Sequence, residues 1–374
     1  MLGSSRRLAL LAEGRFTPLD AKTAVGVLRY RADEVVAVID STRAGRTAAA
    51  CVGVGGSIPV VADLAGAAVL GAESLLVGVA PQGGELPAAW RATVLGAIER
   101  GWDVLSGLHV FLADDPELAA RARAREARLL DVRRPPAARR IAAGRAAGVG
   151  STVILTVGSD CNVGKMTAAL EIVRALERSG ERAAFVATGQ TGIFIADHGV
   201  VVDAVVADFV AGEVEALVLE AAASAGLVVV EGQGALGHPA YSGVTLALLH
   251  GACPAGLVLC HQAGREAIRL TGSAEVWPIP PLSELVRINE GAAAWVSPTR
   301  VVGIALNTLG MDEAAARAAC ERAGRETGLP ATDPVRFGAE SLAEAVRALA
   351  ARRSGTVARA AAPLPGRRSR ATAP

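Results

Sequence analysis

Aromatic residues are nearly missing from this chain, at 3% of 374 positions, although 51% of it is hydrophobic. Its cores must therefore be packed from Ala, Val and Leu. Charge of one sign is missing too: 38 Lys and Arg stand against 37 Asp and Glu. Without a net field, nothing argues for a nucleic-acid partner or an anionic membrane surface. Lysine is scarce beside arginine, which reads as compositional bias. The five cysteines (Cys51, Cys161, Cys253, Cys260, Cys320) form no Cys-x-x-Cys pair. An odd, scattered set with no secretory signal excludes a disulfide framework and leads us to expect a reducing, cytoplasmic setting. No stretch approaches the ~20 apolar residues of a membrane span, and the Leu8–Ala12 run behind Arg6-Arg7 is far too short.

What is present is alternation of apolar runs with helix-like segments, which indicates an α/β architecture, and the length suits two domains. One stretch organises the rest. Val153-Ile154-Leu155-Thr156-Val157 is a buried-strand run that passes through a loop, Gly158-Ser159-Asp160-Cys161-Asn162-Val163-Gly164, into Lys165-Met166-Thr167 and an amphipathic helix. Strand, glycine-bounded loop, lysine and helix form a phosphate cradle: backbone N–H groups point inward, the helix N-terminus adds partial positive charge, and the lysine adds a full one. The usual pattern has four residues between the glycines and Ser or Thr after the lysine. Here five residues separate Gly158 from Gly164, and Met166 follows Lys165. Thr167 comes one place later, so the hydroxyl that would hold Mg²⁺ is displaced or absent. The bland alternative is a strand-to-helix turn that uses glycine for its φ angles.

Residues 1–20 read as a loose lead-in. Val35–Asp40, Ile58–Val61, Ser74–Val79 and Asp103–Leu108 read as strands, and Pro87–Arg100 as a helix. This alternation predicts an N-terminal Rossmann-like domain over 1–132. No Gly-x-Gly-x-x-Gly follows its first strand, so no dinucleotide site is expected. Asp40-Ser41 and His109 fall at the carboxyl ends of strands, where a cap or satisfied polar group is the commoner role. Residues 133–151, opening with Arg133-Arg134-Pro135-Pro136, read as a solvated hinge. A P-loop NTPase-like doubly wound parallel-sheet domain is expected over 152–353, ending in a helix from Ser341 to Arg352. Residues 354–374 read as a disordered tail.

Within the second domain, several residues sit at strand ends where ligands bind. Val230-Glu231-Gly232-Gln233-Gly234 places an acid after a buried strand, suited to general-base work or to Mg²⁺ held through water. Cys260-His261-Gln262-Ala263-Gly264-Arg265 brings an imidazole and a guanidinium to a strand end, which suits a carboxylate-bearing substrate. His238 and Tyr241 lie in a polar loop, Gln190 in Thr188-Gly189-Gln190-Thr191-Gly192, Asp203 and Asp208 in a stretch holding two acids, and Asn307 at the end of the last core strand. Against each stands a structural role: turn, cap or packing.

The Gly158–Lys165 loop with its five-residue gap, Val230–Gly234 and Gly303–Asn307 resemble the corresponding segments of dethiobiotin synthetase. A closer resemblance runs from about Thr23 to Arg352, to a two-domain P-loop family whose characterised member is D-glutamate N-acetyltransferase. It rests on Ala80–Gly84, Ser106–His109, Gly158–Thr167, Thr188–Gly192, Asp208–Gly212, Val230–Gly234, His238–Gly243, Cys260–Arg265 and Thr332–Gly338. That resemblance implies acetyl transfer from acetyl-CoA to the amine of an acidic amino acid, D-glutamate first. The cradle Gly158, Ser159, Asp160, Cys161, Asn162, Val163, Gly164, Lys165, Met166 and Thr167, with Asn307, would hold the phosphates and base of the co-substrate. Glu231 or His261 would be the base. Lys165 would steady phosphate or oxyanion. Gln190, Asp208, His238, Tyr241 and Arg265 would meet the acceptor. We expect acetyl-CoA as co-substrate, with ATP and Mg²⁺ as the alternative cofactors, no resident metal, a small-molecule substrate and a homo-oligomer. A transient acyl group on Cys161 is one further reading. Two competing functions remain: an ATP-dependent ligase or kinase of the dethiobiotin-synthetase type, and a non-catalytic nucleotide sensor.

Overall fold

The computed structural model describes residues 6–79, 84, 86–270 and 274–361, with side chains as far as residue 353. The matching segment at 80–83 lies outside the described residues, as does the chain from 362 onward.

The apolar runs of the N-terminal half become six strands: β1 (Leu8–Leu11), β2 (Val35–Ile39), β3 (Val60–Val61), β4 (Ser74–Val77), β5 (Asp103–Ser106) and β6 (Leu129–Asp131). They pair in parallel in the order β3-β2-β1-β4-β5-β6, the doubly wound Rossmann-like arrangement that reverses between β1 and β4. The central strand β1 corrects the reading of residues 1–20 as a lead-in. Leu-Ala-Leu-Leu carries no β-branched residue, so local propensity is weak; pairing on both sides with β2 and β4 buries all four residues and makes it a strand.

A second sheet follows. Its strands are β7 (Thr152–Gly158), β8 (Ala183–Val186), β9 (Leu227–Val230), β10 (Gly256–Gln262), β13 (Arg300–Asn307) and β14 (Ala331–Thr332), ordered β14-β13-β10-β7-β9-β8. The pairs from β14 across to β9 are parallel. A small antiparallel pair, β11 (Ala267–Arg269) with β12 (Val276–Pro278), stands apart from both sheets. Both sheets have the α/β character expected. No helix among the described residues is long and apolar enough to cross a membrane. The terminal helix runs from Glu340 to Ala361, past the end expected at Arg352. Gly355 reads as a breaker in the sequence, but the Ala- and Arg-rich residues after it are strong helix formers.

The chain forms two compact units, Met1–Ala143 with Phe185–Val218, and Gly144–Ala184 with Leu219–Pro374. In the first unit, the start of the segment expected to be a solvated hinge is fixed. Arg133 is 6% exposed and donates to Gly107 O at 2.9 Å, Asp203 Oδ1 at 2.8 Å and Gln190 Oε1 at 3.3 Å. Arg140 pairs with the buried Glu213, and Ala143 N–H donates to the carboxylate of the buried Glu215. Asp40 is fully buried. It accepts from Phe16 N, Thr42 N and Thr42 Oγ1, so it braces the loop after β1 and caps the turn after β2. His109 is exposed, and its backbone N–H donates to Gly84 O.

Candidate functional site

All seven residues of β7 are buried, as a central parallel strand requires. It runs into a loop in which Asn162 (φ 58°) and Gly164 (φ 105°) are left-handed, conformations that Asn and Gly tolerate best. The helix Lys165–Arg178 opens directly after Gly164, so its first N–H groups face the loop. Lys165 is 6% exposed, and its Nζ donates to Asp160 O at 2.8 Å. Burial pushes its pKa below the ordinary lysine value, and the neighbouring Cys161, Cys260, Asp160 and Glu231 pull the other way. Gly158 is required by this packing. A Cβ there would come within 2.9 Å of both Lys165 Nζ and Asp160 O.

The strands on either side of β7 bring the second layer of chemistry. Beside it, β9 leads directly into Glu231, which is 4% exposed, and Gly232. Gly232 N–H donates to Thr156 Oγ1 at 2.9 Å, and a Cβ at Gly232 would overlap the Thr156 carbonyl oxygen and lie 3.1 Å from Lys165 Cδ. The acid is thus delivered close to the lysine. On the other side, β10 places Cys260 opposite Gly158 and continues into His261. His261 Nδ1 lies 2.8 Å from Ser159 Oγ. Burial first, and the Arg265 cation second, hold the His261 pKa below 6.5, so the imidazole is neutral at pH 7.

Asp160 is the hub of the loop. Its Oδ2 pairs with Arg265 Nη1 at 2.9 Å, and its Oδ1 accepts from Cys161 N at 2.6 Å. The same Arg265 nitrogen donates to Cys161 O at 2.9 Å, so the guanidinium clamps the cradle from outside. His238 Nε2 lies 4.0 Å from Asp160 Oδ1. Its Nδ1 accepts from Ala240 N–H at 3.1 Å, which puts the proton of the neutral ring on Nε2, facing Asp160. Potential ligand atoms of Asp160, Cys161 and His238 lie within 4.8 Å of one another. A metal there would need the Nε2 lone pair that this tautomer occupies and a carboxylate that Arg265 already neutralises, so the donor set does not fit one. Tyr241 is 52% exposed, with its ring 4.5 Å from that of His238. On its outer side the same loop borders an open apolar groove lined by Leu236, Gly243, Leu246, Ile288 and Trp295.

The second unit therefore brings Asp160, Lys165, Glu231, His238, His261, Arg265 and Asn307 to one sheet edge. Asn307 ends β13, and its Cβ would lie 3.9 Å from a Cβ built on Gly164. Val163 is buried, Asn162 is exposed, and Cys161, Met166 and Thr167 are partly covered. Gln190 and Asp208 fall in the first unit. There Gln190 holds Arg133 and packs against Gly107, and Asp208 is exposed in the first turn of the helix Ala207–Ala222. Sequence reading missed Thr156, a lone hydroxyl inside an apolar strand that ties β7 to Gly232. It also missed Asp333, a buried carboxylate that accepts from Thr308 N and Oγ1 and from Val335 N and Arg336 N.

Comparison with known proteins gives a Rossmann-like and a P-loop domain, with residues 185–218 counted in the P-loop match. Residues 140–343 match the family described as a domain of unknown function (DUF1611_C), P-loop domain, and residues 41–135 match its N-terminal companion (DUF1611_N), Rossmann-like domain. A D-glutamate N-acetyltransferase from Tritonibacter scottomollicae is 38% identical over 333 residues, covering 88% of this chain and 95% of that protein. Another of the same name from a Pseudoalteromonas species is 38% identical over 277 residues, covering 74% and 82% respectively. The crystal structure of a DUF1611 family protein from Anabaena variabilis superposes with a TM-score of 0.86 at 38% identity, covering 92% of this chain and 99% of that one.

Proposed function

The chain belongs to the DUF1611 family, a Rossmann-like domain joined to a P-loop domain, and from that premise we propose that it is an N-acetyltransferase that moves the acetyl group of acetyl-CoA to the amine of an acidic amino acid, D-glutamate first. The observation that carries this reading is the pairing of a phosphate cradle with a neutral imidazole at the adjoining strand end. Coenzyme A brings a diphosphate suited to the cradle, and amine acylation needs a base. His261 Nδ1 is hydrogen-bonded to Ser159 Oγ, and in the tautomer that donates from Nδ1 the Nε2 lone pair takes the proton of the incoming ammonium. The amine then attacks the thioester carbonyl while Lys165 and the loop amides hold the diphosphate, and the C–S bond breaks as the remaining extra proton on nitrogen passes to the departing sulfur, giving the amide and the free thiol. Glu231, buried beside Lys165, is the other candidate base. Arg265 keeps its Nε and Nη2 for a substrate carboxylate while Nη1 clamps the loop.

A second reading, an ATP-dependent ligase or kinase, draws on the five-residue gap of the cradle. Met166 in place of the Mg²⁺-binding hydroxyl counts against it. Titration of the protein and of Lys165→Ala with acetyl-CoA and with Mg²⁺–ATP, alongside thiol release from acetyl-CoA in the presence of D-glutamate, tests the choice. The expected result is acetyl-CoA binding that Lys165→Ala abolishes, and D-glutamate-dependent thiol release. Binding of ATP alone, with ADP formation, would overturn the acetyltransferase assignment.

A further inference from the structure

The base-side wall of the cradle carries an exposed cation, Arg336. Asn307 at the end of β13 stands beside Gly164, and its Oδ1 accepts from Leu309 N, which turns the carboxamide NH₂ away from its own turn. Asp333 then stitches two segments into one wall: its carboxylate accepts from Thr308 N and Oγ1 on one side, and from Val335 N and Arg336 N on the other. Two large apolar side chains stand out to solvent from this wall, Leu309 at 68% and Val335 at 44% exposure. Exposed apolar side chains flanking a free amide suit a planar, hydrogen-bonding base.

Arg336 occupies the rim. Its guanidinium Nη1 lies 3.4 Å from Thr308 Oγ1 and 3.4 Å from Asp312 O, both neutral acceptors at the limit of hydrogen bonding. Among the described residues, no carboxylate reaches ion-pair distance of it. Nearby Arg317 differs, since it is paired with Glu313 and lies over the Phe337 ring. Arg336 is thus an exposed guanidinium held at Thr308, the residue after the base-side Asn307, with no carboxylate at ion-pair distance among the described residues. A guanidinium so placed is suited to a phosphate on the ribose.

We infer that Arg336 is a specificity-determining residue that binds the 3′-phosphate of coenzyme A, with the adenine seated between Leu309 and Val335. This rests on the acetyl-CoA reading above and adds to it a reason why the cradle would select coenzyme A over ATP, which has no 3′-phosphate.

The test compares binding of acetyl-CoA with binding of 3′-dephospho-acetyl-CoA by the full-length protein and by Arg336→Gln. The expected result is a preference of roughly tenfold to a hundredfold for the phosphorylated form, the range of a charge-assisted contact. That preference should shrink in high salt. Arg336→Gln should bind both forms equally, at the affinity the wild type has for the dephospho form. Arg336→Lys should restore part of the preference, because it keeps the charge but loses the fork. Arg336 is exposed, so both variants should keep the wild-type melting temperature. Equal binding of the two forms by the wild type, or a preference that survives in Arg336→Gln, would overturn the assignment of Arg336 and leave the donor reading standing. Binding of neither form would overturn both.

Discussion

His261 is the residue whose titration reports most directly on the chemistry. A general base must be neutral before it can take a proton, so activity should rise with pH through its pKa. Burial and Arg265 hold that pKa below 6.5. The acidic limb of the pH profile of kcat/KM should therefore fall on the acid side of 6.5, and the enzyme should run at full rate near pH 7. His261→Gln should lower kcat by about 10²- to 10⁴-fold and remove that limb. A limb that persists in the variant would move the base to Glu231. Cys161 offers a second test at the same scale. Its backbone N and O are held by Asp160 and Arg265, so the main chain of the loop is anchored there whatever the side chain. If transfer is direct, Cys161→Ser should keep most of the wild-type rate and show no burst of thiol release before the acceptor is added. A tenfold or greater loss accompanied by an acetylated intermediate in the wild type would show that Cys161 carries the acyl group.

At the scale of elements, two glycines mark where backbone meets backbone. Gly232 lies against the Thr156 carbonyl, and Gly212 against the carbonyl of Arg140. In neither case can a Cβ be absorbed by rotating a flexible side chain. Gly232→Ala should cost about 2–3 kcal/mol or more in denaturant unfolding and also disturb the site, because Glu231 and Lys165 share that contact. Gly212→Ala should lower stability by a similar amount but leave acetyl-CoA affinity near wild type, because it acts on the strap of residues 133–143 in the first unit. Both glycines are plain in the sequence, yet their partners are not. The strand Leu227–Val230 was legible from its apolar run, whereas the helix Ala207–Ala222 was not read from the sequence, and the identity of the backbone against either depends on the tertiary fold. The same limit explains the other misreadings. Residues Leu8–Leu11 lack the β-branched signal and become a strand through two-sided pairing. Arg133 sits in a Pro-rich run that looks solvated, and is buried because Gly107 O, Asp203 and Gln190 all converge on it. The cradle was legible because its chemistry is local, a strand, glycines and a lysine within one short stretch. The Asp333 wall was not, because it joins residues 25 apart in the chain.

For the molecule as a whole, the path of the chain matters more than the two domain names. A boundary drawn near residue 151 would cut the sequence into a Rossmann-like half and a P-loop half. The compact units are interleaved instead: the chain leaves the first unit after Ala143, returns to it at Phe185, and leaves again after Val218. The returning segment supplies Ala187, Ile193, Phe194 and Val201 to the same buried core as β1 through β5. Full burial of side chains such as Ile193, Phe194 and Val201 is worth roughly 1.5–3 kcal/mol each, so a fragment that ends at 143 loses a large share of a marginal stability. A fragment of 144–374 would carry the same side chains with no core to receive them, and exposed apolar surface of that kind promotes aggregation. Each fragment expressed alone should therefore be insoluble or lack a cooperative melting transition, while co-expression should recover a soluble complex with the melting behaviour of the intact chain. If the 144–374 fragment alone were soluble, melted cooperatively and bound acetyl-CoA at wild-type affinity, the returning segment would be dispensable to the cradle, and the interleaving would be a matter of packing alone.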